Sequence, residues 1–222
     1  MTEKNLLDID EAIARLHRAV SPFPKAAMFA LADEGYTSAF EQLISCIISI
    51  RTYDEVSLPV SRNLFAVANT PAAISSLSVE EIEHLIAEST YARRKAAQIK
   101  AIATTIVVEY DGVLPCDEEV MLNFKGVGVK CAHLALGVAC KQPYISVDVH
   151  VHRITNRWGY VQTKTPEQTT KALEAKLPQK YWIEINSLLV PFGKHICTGK
   201  LPRCSTCSLQ EMCQQVGVTQ YR

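Results

Sequence analysis

The chain has 222 residues, 48% of them hydrophobic and 21% charged, the proportions of an ordinary globular protein with one large domain or two small ones. Its 23 basic and 23 acidic side chains cancel, which excludes a global field for polyanions and leaves any nucleic-acid surface as a local patch. No apolar run approaches the roughly 20 residues of a membrane span, and the opening MTEKNLLDID is neither a secretory signal nor a transit peptide, so a cytosolic, thiol-reducing setting is the expectation.

Taken in chain order, the segments read as helices. Asp10 to Val20 carries Ile13, Leu16 and Val20 at helical spacing, and Ser21-Pro-Phe-Pro stops it. Ser38-x-x-Glu41 is a capping box opening a segment with Leu43, Ile44, Cys46, Ile47, Ile48 and Ile50. That segment is apolar nearly all round, which predicts the buried centre of its domain. Pro59 falls where a helix interior is expected and predicts a kink or a late start. Thr70-Pro71 has the N-cap and N1 pattern, and Ser78-x-x-Glu81 is a second capping box. Ile99, Ile102, Ala103, Ile106 and Val107 predict a longer helix between Ala92 and Tyr110, ended by the turn at Asp111-Gly. Thr165-Pro166-x-Gln168 starts another that runs to Leu177 and ends at Pro178. Trp182 to Val190 is the last, with Pro191-Phe-Gly leading into a cysteine-rich segment. No alternating strand set stands out, so the fold class is all-α.

Three patterns carry chemistry. Phe124-Lys-Gly-Val-Gly-Val-Lys130 lies between a short helix, about 117–123, and an apolar one, about 129–139. Gly126 and Gly128 allow close backbone approach, and the N–H groups of Gly126, Val127 and Gly128 sit at a helix N-terminus, where an anion is favoured. A helix–hairpin–helix of this kind can grip DNA phosphate without reading sequence; the plain alternative is a glycine connector in a bundle. Ser146-Val-Asp-Val-His-Val-His-Arg153 alternates like a strand, yet Val147, Val151, Ile154 and Trp158 recur at helical spacing. A helix starting at Asp148, capped by its carboxylate, is the better reading. His150 and His152 point apart on such a helix, so hydrogen-bonding or DNA-facing roles fit them better than metal ligation. Finally, Cys197-x6-Cys204-x2-Cys207-x5-Cys213 supplies four thiolates for a tetrahedral metal or an iron–sulfur cluster; spacing leans toward the cluster without excluding zinc. Cys46, Cys116, Cys131 and Cys140 are scattered with no pairing logic.

In this order, Gly126-Val-Gly-Val-Lys130, Val147-Asp148-x-His-x-x-Arg153 and the four C-terminal cysteines resemble the endonuclease III family of iron–sulfur DNA glycosylase/AP lyases. Ala66-Val-Ala-Asn-Thr-Pro-Ala-Ala73 and Lys95-Ala-x-x-Ile99 extend the likeness over most of the chain. The resemblance implies two helical domains with a DNA-binding cleft between them. They are a six-helix barrel over 32–142 with a helix–hairpin–helix at about 117–140, and a cluster domain from 1–31 and 143–222 with its iron–sulfur loop at 197–213. It implies one [4Fe–4S] cluster on Cys197, Cys204, Cys207 and Cys213, and Lys130 and Asp148 as catalytic residues. DNA contacts fall to Arg51, Tyr91, Lys125, Gly126, Val127, Gly128 and His150. Lys130, in the first turn after the hairpin, sits where the helix dipole and desolvation disfavour an ammonium. Attack at C1′ of a flipped nucleotide then gives a Schiff base and β-elimination.

The chain departs from the family at Phe124-Lys125, where Leu-Pro is usual, at Val129, where a basic residue is common, and at Cys131, where Thr is common. It also has Arg51 in place of the gap-filling Gln and Tyr91 in place of a Leu wedge. The expected function is base excision repair: removal of oxidised pyrimidines from damaged double-stranded DNA by a cytoplasmic, nucleoid-associated monomer with no membrane partner. The alternative is an iron–sulfur protein that binds damaged or abasic sites with weak or no glycosylase activity.

Overall fold

A computed structural model describes residues 7–222; the reading of Met1–Leu6 as lacking a targeting signal lies outside the described residues. The described chain forms twelve α-helices and no strand: α1 (Ile9–Val20), α2 (Ala27–Asp33), α3 (Ala39–Ser49), α4 (Asp54–Val67), α5 (Pro71–Ser76), α6 (Val79–Leu85), α7 (Ala92–Glu109), α8 (Glu118–Asn123), α9 (Val129–Cys140), α10 (Val149–Arg157), α11 (Pro166–Glu174) and α12 (Glu184–His195). No helix among the described residues is long and apolar enough to cross a membrane. The chain divides into two compact units, one of Ala27–Tyr144, the other of the segment ending at Ala26 together with Ile145–Arg222. The first begins five residues earlier than 32 because Ala27, Met28 and Leu31 of α2 belong to its core. It holds α2 to α9, of which short α5 and α6 each start on a cap of their own, Thr70 and Ser78.

Helix α3 organises the Ala27–Tyr144 unit. Its capping box forms as the sequence predicts, with Ser38 Oγ accepting from Glu41 N and Glu41 Oε2 accepting from Ser38 N. Every residue from Ala39 to Ile48 is buried, and α9 and α4 are its most extensive neighbours. Two of its buried polar side chains are tied to neighbours: Gln42 Nε2 donates to Tyr36 O at 2.7 Å, and Asn69 Nδ2 donates to Glu41 Oε1. A helix enclosed in this way ends on carbonyls that water cannot reach. Lys95, on α7 and 4% exposed, supplies the missing donors. Its Nζ donates to Ile48 O (2.6 Å), Ile50 O (2.8 Å) and Thr52 Oγ1 (3.0 Å), one acceptor for each ammonium proton.

Two expectations are corrected in this unit. Pro59 lies inside α4, which starts at Asp54, so there is no late start; the one main-chain bond that proline forfeits is to the first turn, at exposed Glu55. The four scattered cysteines are paired. Cys46 is joined to Cys131 across the α3–α9 contact, and Cys116 to Cys140, with Cα–Cα distances of 5.6 and 5.9 Å. The pairing is invisible in the sequence because helix packing, over a separation of 85 residues in the first case, brings the partners together.

In the other unit α1, α10, α11 and α12 enclose a core that includes Leu16, Ile154, Trp158, Leu173, Leu189 and Phe192. Helix α12 runs through Pro191 to His195 rather than ending at Val190. Proline forfeits one main-chain bond there, but Val190, Pro191 and Phe192 are all buried, and that packing outweighs the loss.

Burial lowers the Lys95 ammonium from its ordinary value to about 8. Between about pH 8 and 10.5 the unfolded chain therefore holds a proton that the folded chain has released, and folding gains from rising pH. Urea unfolding of the wild type and of Lys95→Met at pH 7 and pH 10 should show the wild type gaining stability relative to the variant at the higher pH. A relative loss would contradict the burial argument.

Candidate functional site

The hairpin between α8 and α9 sits on a braced helix pair. His133 Nε2 lies 2.6 Å from Glu118 Oε1, and its ring packs tilted against Tyr144 at 4.5 Å between centroids. Gly126 adopts φ +83°, the left-handed region, and a Cβ there would stand 3.0 Å from Gln98 Nε2, which itself donates to Lys125 O. Gly128 is the N-cap of α9, at an ordinary φ of −107°, and nothing lies within 4 Å of a Cβ built on it. Lys125, Gly126, Gly128 and Val129 are exposed. Val127 departs from the expectation that it joins them: its side chain is 8% exposed in the core and its N–H donates to Phe124 O. The turn spends that amide internally, so any anion meets Gly126, Gly128 and the first turn of α9.

Lys130 stands in that first turn, half-buried, with Nζ 3.7 Å from Cys46 Sγ. The α3–α9 contact that joins Cys46 to Cys131 thus lies directly under the lysine. The same unit carries Arg51 and Tyr91 on two loops, after α3 and before α7. Both are exposed and both adopt positive φ, 55° and 62°. Non-glycine residues held in this region signal a conformation imposed by surrounding bonds.

In the other unit Asp148 is the N-cap of α10, as its spacing predicts. Its Oδ1 accepts from His150 N and Val151 N, each at 2.9 Å, and Oδ2 has no protein partner among the described residues. The half-buried carboxylate is aimed by the helix N-terminus through one oxygen and keeps the other open. His152 Nδ1 meets Thr169 Oγ1 at 2.6 Å and ties α10 to α11, a structural role. His150 Nδ1 lies 3.0 Å from Arg153 Nη2. Gly193 of α12 leaves the room for this pair, because a Cβ there would collide with the His150 ring.

The four C-terminal cysteines, all half-buried, line one pocket with Arg157, Trp158 and Phe192. They do not converge on one point; among the described residues no three His, Cys, Asp or Glu are grouped to hold a single ion. Two of the sulfurs accept N–H bonds, Cys197 Sγ from Arg157 Nη1 at 3.4 Å and Cys213 Sγ from Gln215 N at 3.4 Å. Burial pushes the Cys207 thiol up to about 11. Four thiolates at this place therefore need a cationic centre to offset their charge, and the donor set suits a thiolate-bound group. Arg153 and Arg157 hold the loop itself, donating to Gly193 O, Cys197 O, Thr198 O and Gly199 O at 2.6–3.0 Å. Sequence reading passed over Arg157 and the role of Lys95. The cue for the first was a second arginine one turn beyond Arg153; for the second it was a lysine amid Ala92, Ala96 and Ile99 on an inward stripe.

A model of the HhH-GPD superfamily of base excision DNA repair proteins matches residues 44–179. Endonuclease III of Thermotoga maritima is 42% identical over 178 residues, which cover 80% of this chain and 84% of that protein. The chloroplastic endonuclease III homolog 2 of Arabidopsis thaliana is 40% identical over 183 residues, 78% of this chain; this chain spans about half of that relative, 47%. A solved structure of a trapped endonuclease III–DNA covalent intermediate, an estranged-adenine complex, superposes with a TM-score of 0.78 at 26% identity, covering 95% of this chain and 97% of that one. The chain belongs to the HhH-GPD superfamily and, within it, to the endonuclease III family: it is a DNA glycosylase/AP lyase of base excision repair.

Proposed function

We propose that this enzyme removes oxidised pyrimidines from duplex DNA with Lys130 as nucleophile and Asp148 as its acidic group, acting as a cytoplasmic monomer at the nucleoid. The observation that carries the reading is Asp148, a carboxylate oriented by two amides of α10 on one oxygen and open on the other. Such a group can stand against the positive charge that develops on the sugar as the N-glycosidic bond breaks, and can take a proton from the attacking amine. Lys130 Nζ attacks C1′, the base leaves with a proton, and the sugar ring opens to a Schiff base. Loss of a C2′ proton then breaks the C3′–O bond, and water releases the lysine. The lesion class follows the family resemblance.

Phosphate binding falls to the exposed amides at Gly126 and Gly128 and to the Lys125 side chain, assisted by the N-terminal end of α9. Arg51 and Tyr91 are the groups we assign to the gap left by the flipped base and to the wedge, since planar groups can stack there. His150 borders Asp148 and contacts the DNA backbone. Cys197, Cys204, Cys207 and Cys213 would hold one [4Fe–4S] cluster, which would pin the segment beyond α12. That segment has few apolar anchors of its own, Leu209 and Met212 among them.

Three experiments test this reading. Protein purified without oxygen should be yellow-brown with about four iron atoms per chain, and Cys204→Ala should open the chain beyond His195 to protease; stoichiometric zinc in a colourless active protein would sink the assignment. Gly128→Ala should keep the melting temperature yet weaken binding to DNA of any sequence by about 1 kcal/mol, roughly fivefold, whereas Gly126→Ala, strained at its φ, should also lower stability. Lys130→Gln should abolish borohydride trapping and strand cleavage while retaining binding to lesion-bearing duplex. Asp148→Asn, which keeps a capping oxygen, should slow base removal at least about a hundredfold with little change in folding. Full base excision by both variants would leave only the damage-binding alternative.

A further inference from the structure

The two DNA-facing loops of the Ala27–Tyr144 unit are joined through one buried residue. Arg51 and Tyr91 are forty positions apart, both exposed and both held at positive φ. Between their loops lies Lys95. Its main-chain N–H donates to Tyr91 O at 3.1 Å, while its ammonium donates to Ile48 O, Ile50 O and Thr52 Oγ1. The Thr52 hydroxyl also accepts from Thr90 N at 3.1 Å, so the residue after Arg51 is bonded to the residue before Tyr91. Among the described residues no carboxylate shares these bonds; the cation is spent on two main-chain carbonyls and one hydroxyl. A buried ammonium is costly, and apolar packing could have covered the end of α3 at lower cost. What apolar packing could not do is fix the Ile50 carbonyl before Arg51 and the Thr52 hydroxyl after it, and couple them to the Tyr91 loop.

We propose that Lys95 is the positioning residue for both loops: through Ile48, Ile50 and Thr52 it sets the direction of Arg51, and through Thr52–Thr90 and its own main chain it sets that of Tyr91. The proposal rests on the assignment of Arg51 and Tyr91 to the flipped-base gap and the wedge. Its consequence is selective. Extrusion of a nucleotide needs both groups presented together at a fixed spacing, whereas attachment to undamaged DNA through the hairpin does not.

The test uses cluster-loaded enzyme and a duplex carrying a tetrahydrofuran abasic analogue opposite 2-aminopurine, whose fluorescence rises when its partner position is unstacked. Lys95→Met and Thr52→Val should each slow the rise by about tenfold or more while affinity for undamaged duplex stays within about twofold. Thr52→Val leaves the buried lysine in place, so it carries the test should Lys95→Met fail to fold. Added to an Arg51→Ala/Tyr91→Ala background, Thr52→Val should cause no further loss, because it acts only through those two groups. A purely structural role predicts additive losses instead, and that result overturns the proposal, as does wild-type extrusion by both Lys95→Met and Thr52→Val. If Arg51→Ala/Tyr91→Ala itself extrudes like the wild type, the loop assignment fails and the proposal falls with it. A defect in that variant alone overturns the role of Lys95 and leaves the assignment standing.

Discussion

A helix buried on every side hands its unpaired C-terminal carbonyls to whatever element packs over them, and in the Ala27–Tyr144 unit that element is α7, through Lys95. Much of this unit depends on the burial of α3. Ten consecutive buried residues give it packing surface in all directions, and α9 takes the largest share. The α3–α9 contact sets Lys130 above Cys46 and holds the first turn of α9 where the hairpin delivers it. At the same C-terminal end of α3 the carbonyls bound by Lys95 determine how the chain leaves, and it leaves through Arg51 at positive φ. One enclosed helix thus bears, near its C-terminal end, on both the hairpin lysine and the Arg51 loop.

The other unit solves a different problem. Its last stretch is too polar to fold around an apolar centre; Pro202, Leu209 and Met212 are its buried apolar side chains beyond Cys197. The chain compensates with arginine. Arg153 and Arg157, one turn apart on α10, bind four successive regions of main chain between Gly193 and Gly199. Such guanidinium-to-carbonyl bonds are planar and multiply donated, which suits a loop without regular structure. Because α10 also begins at Asp148, the same nine-residue helix aims the carboxylate at one end and holds the cysteine segment at the other. Gly193 is the spatial condition for this, since a side chain there would push α12 away from His150 and Arg153.

Local signals were legible in the sequence wherever the physics is local. Both capping boxes, the Thr-Pro helix starts and the Asp148 cap involve residues two or three apart, so their bonds form as soon as the chain turns. The encirclement of α3 by apolar residues announced its burial for the same reason. The proline positions misled because propensity was weighed without packing: α4 accepts Pro59 where the lost bond falls in the first turn, and α12 accepts Pro191 where burial offsets it. Val127 misled because the hairpin pattern shows which residues flank the glycines and not which of them turns inward.

By itself the amino-acid order determined the helical class, most element starts, the glycine hairpin, the cysteine quartet and a resemblance specific enough to name a family. Each of these is written in neighbouring residues or in spacings along one segment. Only the tertiary structure decided the pairing of Cys46 with Cys131, the grip of Arg157 on the cysteine loop, and the linkage of the Arg51 and Tyr91 loops through Lys95. Those contacts join residues 38 to 85 positions apart. No local pattern encodes them, because whether a lysine becomes a surface charge or the buried donor at a helix end depends on which other helix packs over it.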